Sequence, residues 1–281
     1  MLDQTKLGID GAHLHDNDDR IVIASSLDAI DLMGAESQHN IVATHIPNAT
    51  PSSVIDFFLN QPHDEISQLT INQRHSPYIL PVIEGQAKLP AAFRDAVNED
   101  VTEYLEAVAT AMARQTLNTK TGEQAEQVQL AIVEDIATTM QSNVRTAHWH
   151  TDSPKSLSTR QIHGHIGISD PIDSNTHEDS NRELEYLTMG KDDNVLNEDD
   201  WNDFMKHQGF ATEPDSAKIE HTKTGDFVAF WGPYSGATSK HSDTLTHRTD
   251  PSREEPTEEG RRYSILMLAK RPPDIDYELD L

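Results

Sequence analysis

The chain has 281 residues, a formal net charge of -26 and no cysteine, which removes disulfides, thiolate metal sites and cysteine nucleophiles and leaves nitrogen and oxygen to hold any metal. Such acidity speaks against nucleic acid and anionic membrane as partners, since both are gripped mainly through Lys and Arg; it fits a halophile's solvated surface or an ordinary soluble exterior. No apolar run approaches the roughly 18 residues of a membrane helix, and the start shows no basic cluster followed by an apolar stretch, so a soluble, cytoplasmic protein with one catalytic domain is expected.

Residues 1–40 are polar and Asp-rich around one short apolar run, Ile21–Ala24, and read as an N-terminal arm adding one edge strand. The remainder, 41–281, reads as a single domain: a helix-rich part over 41–120, a strand-rich core over about 123–270 and a short C-terminal tail. Ile41–Ile46 has strand character and is closed by Pro47-Asn48. Thr50-Pro51-Ser52-Ser53 opens a helix, with proline near the first turn. Ser76–Ile83 reads as a strand interrupted by Pro81, which suits a sheet edge.

From Leu89 to Leu117 apolar residues recur every three or four positions, Phe93, Val97, Val101, Tyr104, Leu105, Val108 and Met112 among them, which predicts one long amphipathic helix. Beyond Gly122 the period changes to two. Gln127–Val133 alternates, and Arg160–Ser169 alternates with Ile162, Gly164, Ile166 and Ile168 on one face. Strands are also expected at Leu184–Met189, Lys218–His221, Phe227–Trp231 and Tyr263–Leu268, with a short helix over Glu198–Gln208. Helices first and turn-bounded strands after predict an α+β protein, a sandwich or barrel of short antiparallel strands with helices packed outside, mostly from the N-terminal half. The acidic stretches Ser169–Arg182 and Thr249–Glu259 read as loops.

The chemistry concentrates around Thr146-Ala-His-Trp-His-Thr-Asp-Ser-Pro154. In extended chain, residues two apart project to one side, so His150 and Asp152 can chelate one ion together. Imidazole and carboxylate without thiolate suit a borderline or hard divalent metal, and a histidine from a later strand would complete a two-His, one-carboxylate face with open positions. The chain then runs through Gly225-Asp226, His247-Arg-Thr-Asp-Pro251 and Gly260-Arg-Arg-Tyr-Ser264. Arg262 and Ser264 share one face of the last strand, where arginine can grip a carboxylate through two parallel N–H bonds and serine can add a hydroxyl.

This ordered set, His-x-Asp, distal His, Arg-x-Ser, resembles the iron(II)- and 2-oxoglutarate-dependent dioxygenases over roughly residues 140–270. The resemblance implies a double-stranded β-helix (jelly roll), with His150, Asp152 and His247 as iron ligands and Arg262 and Ser264 binding the distal carboxylate of 2-oxoglutarate. The alternative distal ligand is His241 in Ser239-Lys-His-Ser242; the run after His247 is closer to the family's. His247 and Arg262 are further apart than is usual there, and Ser252–Glu259 reads as an acidic insertion between them. The implied activity couples oxidative decarboxylation of 2-oxoglutarate by O2 to hydroxylation or another oxidation of a small molecule, amino acid or natural product in kind. An iron oxidase of the same fold without 2-oxoglutarate and a non-catalytic jelly-roll binding protein are the competing readings.

Around these residues, Arg145, Trp149, Arg160, Trp231 and Tyr234 are candidates for substrate contact, set against ordinary core packing and salt bridges. His148, His163 and His165 read as wall or solvent-facing residues, and Arg261 as a surface charge. The helical first half can serve as a substrate lid or a homodimer surface.

Overall fold

The computed structural model describes residues 7–33, 41–71, 77–116, 122–134, 149, 161–170, 182–188, 219–232, 244–249 and 261–270. Their strands are β1 (His13–His15), β2 (Asp18–Ile23), β3 (Ala43–Ile46), β4 (Tyr78–Ile83), β5 (Gln86–Ala87), β6 (Gln127–Glu134), β7 (Gln161–Ser169), β8 (Arg182–Leu187), β9 (Ile219–Lys223), β10 (Phe227–Trp231), β11 (His247–Thr249) and β12 (Arg262–Lys270). The helices are α1 (Ser52–Asn60), α2 (His63–Ser67), α3 (Ala91–Arg94) and α4 (Glu99–Arg114), with a 3-10 helix at Leu27–Met33. The protein is a mixed α+β structure dominated by sheet. Among the described residues no helix is long and apolar enough to cross a membrane.

Two sheets are present: one of nine strands in the order β1-β2-β3-β10-β7-β12-β6-β4-β5, and one of three in the order β11-β8-β9. The winding is regular from β7 onward. Each consecutive pair, β7/β8, β9/β10 and β11/β12, splits one strand to each sheet, so that β10-β7-β12 in the first is matched by β9-β8-β11 in the second. Pairing in this region is antiparallel throughout.

The two faces of the first sheet have different partners, and the face toward the helices is the more apolar. Ile162, Ile166 and Ile168 of β7 and Ile265, Met267 and Ala269 of β12 pack with Val101, Leu105, Val108 and Met112 of α4. This is the expected alternation meeting the expected helical stripe. On the other face Val228 and Phe230 of β10 pack with Tyr186 of β8 and with Ile21, Ala43 and Leu245. Helices thus cover one face and the small sheet the other.

Two expectations change. The Leu89–Leu117 stretch is two helices, because Asn98 takes an extended conformation (φ -82, ψ 173) and caps α4 with its side chain, accepting from Val101 N at 2.9 Å; the apolar spacing survives the break because Phe93 and Val101 still face one core. The N-terminal arm contributes more than one edge strand: β1 and β2 extend the sheet, β2 pairs in parallel with β3, and Ile21, Val22 and Ile30 are fully buried. His247–Thr249 is a strand held opposite Leu184–Tyr186. The helix expected over Glu198–Gln208 lies outside the described residues.

Pro81 behaves as its chemistry requires. It has no N–H to give, and the outer strand β5 pairs only with Val82 and Ile83.

Candidate active site

With Ile162, Gly164, Ile166 and Ile168 turned to the helices, period two turns Gln161, His163, His165, Gly167 and Ser169 of β7 to the second sheet. Gly164 is needed for the first of these contacts: a Cβ there would stand 2.7 Å from Met112 Sδ and 3.0 Å from Phe227 Cε2. Within the first sheet the ring of His163 stacks on its cross-strand neighbour Phe230 (5.5 Å between centroids, 10° between planes), and across the inter-sheet space Phe230 lies 4.6 Å from the ring of His247.

His247 is buried and stands directly opposite Tyr186 in the β11/β8 register. Its Nδ1 is 3.2 Å from the Leu245 carbonyl. A carbonyl oxygen only accepts, so Nδ1 carries a proton, and in the neutral ring the lone pair is then on Nε2, the tautomer a metal-binding imidazole needs and the way such ligands are commonly oriented. The next residue, Arg248, is also buried; its Nε donates to Glu185 Oε2 at 2.5 Å, and Glu185 Oε1 is 3.3 Å from His221 Nδ1. The Arg248 guanidinium lies 4.3 Å from the centre of the Trp149 ring. His150 follows Trp149 and His247 precedes Arg248, so each is one residue from this contact.

A second polar centre lies toward the start of β8. Glu183 is fully buried; its Oε1 accepts from Ser169 Oγ (2.6 Å) and Thr224 Oγ1 (3.0 Å), and its Oε2 from Arg262 Nε (3.1 Å). Arg262 Nη2 also donates to the Glu183 backbone carbonyl at 3.0 Å. The β8/β9 pairing slips between Arg182 and Glu185. Such a slip resets the strand's alternation, which allows Glu183 and Tyr186 both to meet the first sheet. Ser264 is buried two residues along from Arg262.

A third set ties the sheets together. Asp226 Oδ1 accepts from Asn48 N (2.8 Å); Oδ2 accepts from Lys223 N (2.8 Å) and is 3.1 Å from His45 Nε2, while His45 Nδ1 is 3.1 Å from the Tyr186 hydroxyl. Burial alone would raise the Asp226 carboxyl, but the hydrogen bonds from His45, Asn48 and Lys223 outweigh it and hold it below the ordinary aspartate value. With Nε2–H given to this carboxylate, His45 Nδ1 is left to accept from Tyr186. The Tyr186 hydroxyl is driven upward by burial first, then by the carboxylates of Glu220, Asp226 and Asp18.

The expected site residues divide accordingly. His150, Asp152 and His241 lie outside the described residues, as do Arg145, Arg160 and Tyr234. Among the described residues no group of three His, Asp or Glu side chains forms a metal site. Trp231 is a core residue: it is 1% exposed, packs on the helix side of the sheet, and donates Nε1–H to Met33 O at 3.0 Å. Arg261, expected at the surface, is half-buried and donates to the Leu59 carbonyl at 3.2 Å and to the Gln61 carbonyl, closing the end of α1. Glu183, His45 and Arg248 were not singled out in the sequence. A buried carboxylate has no distinguishing mark in a chain with 48 Asp and Glu, though Glu183-Leu-Glu-Tyr186 alternates charged with apolar or aromatic residues inside a strand, which is a usable signal.

No protein-family model matches this chain, and no curated protein matches it. Similar solved structures include the apo form of the Kdo hydroxylase KdoO, described as a non-heme Fe(II) alphaketoglutarate-dependent dioxygenase (8% identity, 89% of this chain and 88% of that one, TM-score 0.43). They also include the viral collagen prolyl hydroxylase of Paramecium Bursaria Chlorella virus-1 (12%, 81% and 90%, TM-score 0.33) and an N-substituted L-amino acid dioxygenase from Burkholderia ambifaria AMMD (11%, 89% and 92%, TM-score 0.33).

Proposed function

We propose, from the chain's own residues, that the two sheets are the walls of a double-stranded β-helix and that the protein is an iron(II)- and 2-oxoglutarate-dependent dioxygenase acting on a small molecule. The observation that carries this is His247: a buried imidazole with Nδ1–H committed to a backbone carbonyl, one residue from an arginine lying over Trp149, the residue before His150. The splitting of β7 to β12 between two sheets in matched order is the winding such a fold needs.

In this reading His150, Asp152 and His247 hold the iron, and Arg262 and Ser264 serve the distal carboxylate of 2-oxoglutarate. Iron so held, with 2-oxoglutarate and O2, supplies oxidative decarboxylation to succinate and CO2 and the oxidation of a substrate C–H bond. The chain's part is orientation and exclusion of water. The Leu245 carbonyl fixes the His247 tautomer, and the Phe230 ring screens His247 on one side. Three residues of β8, about 10 Å, separate Glu183, which engages Arg262, from Tyr186, which faces His247; an arginine and a five-carbon dicarboxylate can bridge that span.

Whether a residue outside 123–270 touches substrate bears on domain organisation. We read 41–281 as one catalytic domain with 1–40 added to its sheet.

One observation favours a second reading, an iron-dependent oxidase of the same fold without 2-oxoglutarate: the guanidinium expected to anchor the cosubstrate already has a carboxylate, Glu183. The experiment is to incubate anaerobically purified protein with iron(II), 2-oxoglutarate and O2 and to quantify succinate. Succinate formation lost in His247→Ala supports the first reading. Iron binding and O2 consumption unaffected by withholding 2-oxoglutarate supports the second. Absence of iron binding refutes both.

A further inference from the structure

We propose that Glu183 is an internal competitor for Arg262: it occupies the arginine in place of the cosubstrate's distal carboxylate and thereby sets the affinity and selectivity of the site for 2-oxoglutarate. This rests on the functional reading above and concerns a residue that reading does not use.

The position of Glu183 is built, not incidental. Its carboxylate has no exposure and accepts from two hydroxyls and from Arg262 Nε, while its own backbone carbonyl accepts from Arg262 Nη2. Two donors of the guanidinium are therefore turned to one residue. Space for the side chain is made by Gly167, where a Cβ would stand 2.3 Å from Glu183 Cγ, 2.5 Å from Cβ and 2.6 Å from Cδ. Any larger residue there would push Glu183 off its seat.

The electrostatic consequence is direct. A lone buried arginine offers a positive charge in a poorly screened place, and a second carboxylate is attracted to it. Paired with Glu183, the same arginine presents a neutral couple. An incoming dicarboxylate must then displace the glutamate or share the guanidinium with a like charge a few ångströms away, and either lowers affinity. Glu183→Gln keeps the shape and an oxygen for Arg262 and removes the charge.

The test is anaerobic equilibrium binding to the Mn(II)-loaded full-length protein by calorimetry, with 2-oxoglutarate and with 2-oxobutyrate, which lacks the distal carboxylate. For Glu183→Gln we expect 2-oxoglutarate to bind at least about tenfold more tightly and 2-oxobutyrate to change less than about twofold, because only the former carries the charge at issue. A Ser169→Ala/Thr224→Ala double variant, which leaves both charges and loosens the glutamate, is expected to shift in the same direction and serves if Glu183→Gln does not fold. Wild-type protein that binds 2-oxoglutarate with no gain in either variant, or an equal gain for 2-oxobutyrate, overturns the proposal while leaving the dioxygenase reading intact. No 2-oxoglutarate binding by any of the three proteins overturns both.

Discussion

The Asp226 carboxylate offers the most demanding test of how the two sheets are held together. Its oxygens accept from two backbone N–H groups, at Asn48 and Lys223, and from His45, which in turn is bonded to Tyr186 on the second sheet. Hydrogen bonds to a charged group contribute about 1.5–3 kcal/mol each, and they do not add fully when one group makes all of them. Asp226→Ala strands two backbone donors and an imidazole in a site only 5% exposed, so a loss of about 3–5 kcal/mol is expected. At roughly 2.1 cal/mol/K per residue, a loss of about 4 kcal/mol in a chain of this size lowers Tm by roughly 7 °C. The assay is urea denaturation at several pH values, comparing midpoints at constant m. The carboxyl is depressed in the folded state, so its contribution is present above the ordinary aspartate value of about 3.9 and disappears as pH falls through the lower folded value. The gap between wild type and Asp226→Ala should therefore be full at pH 7 and shrink below pH about 4. A difference under about 1 kcal/mol at pH 7, or one that widens on acidification, would refute the reasoning.

Other consequences are quicker to check. His247→Ala should weaken Fe(II) binding by more than about 100-fold while His241→Ala leaves it within about threefold, as measured by metal titration; the reverse order would make His241 the ligand. Gly167→Ala should cost about 1–3 kcal/mol in chemical denaturation, because Glu183 is pinned by Ser169, Thr224 and Arg262 and cannot swing clear. Asn98→Ala removes the side-chain N-cap of α4 and should cost about 1 kcal/mol, with the far-UV circular dichroism nearly unchanged. Leu105→Ala, at a fully buried position of the same helix, should cost about 2–5 kcal/mol by the same measurement.

The run and spacing of apolar residues were enough to find β6, β7, β10 and β12, because in each the buried set is local: β6 alternates, β10 is apolar and buried throughout, and β7 and β12 lie between these cases. The same signal failed at the break before α4, where Phe93 and Val101 keep helical spacing across a non-helical Asn98. It also failed at β11, whose three residues are too few to show a period and which exists by virtue of pairing with β8. Among site residues, the ordered set of His, Asp, Arg and Ser was picked out by its resemblance to a family's motif order. Which of them stand together cannot be read that way. His150, Asp152 and His241 lie outside the described residues, Trp231 went to the core because its strand turns that face to the helices, and Arg262 met an unforeseen carboxylate.

The sequence by itself determined what is local or compositional: the absence of thiolate chemistry, the net negative charge, the helical spacing of apolar residues that α4 carries, and the strand character of β6, β7, β10 and β12. Only the tertiary structure decided which side chains share a space. It set Phe230, stacked on its neighbour His163, against His247 of the second sheet, joined His45 and Tyr186 from two strands to Asp226 in the turn before β10, and seated Glu183 on Arg262 over a glycine. The reason is that period two tells which face a residue takes, while register and sheet order, settled by pairings between segments as far apart in sequence as Thr44 and Ala229, tell what that face meets.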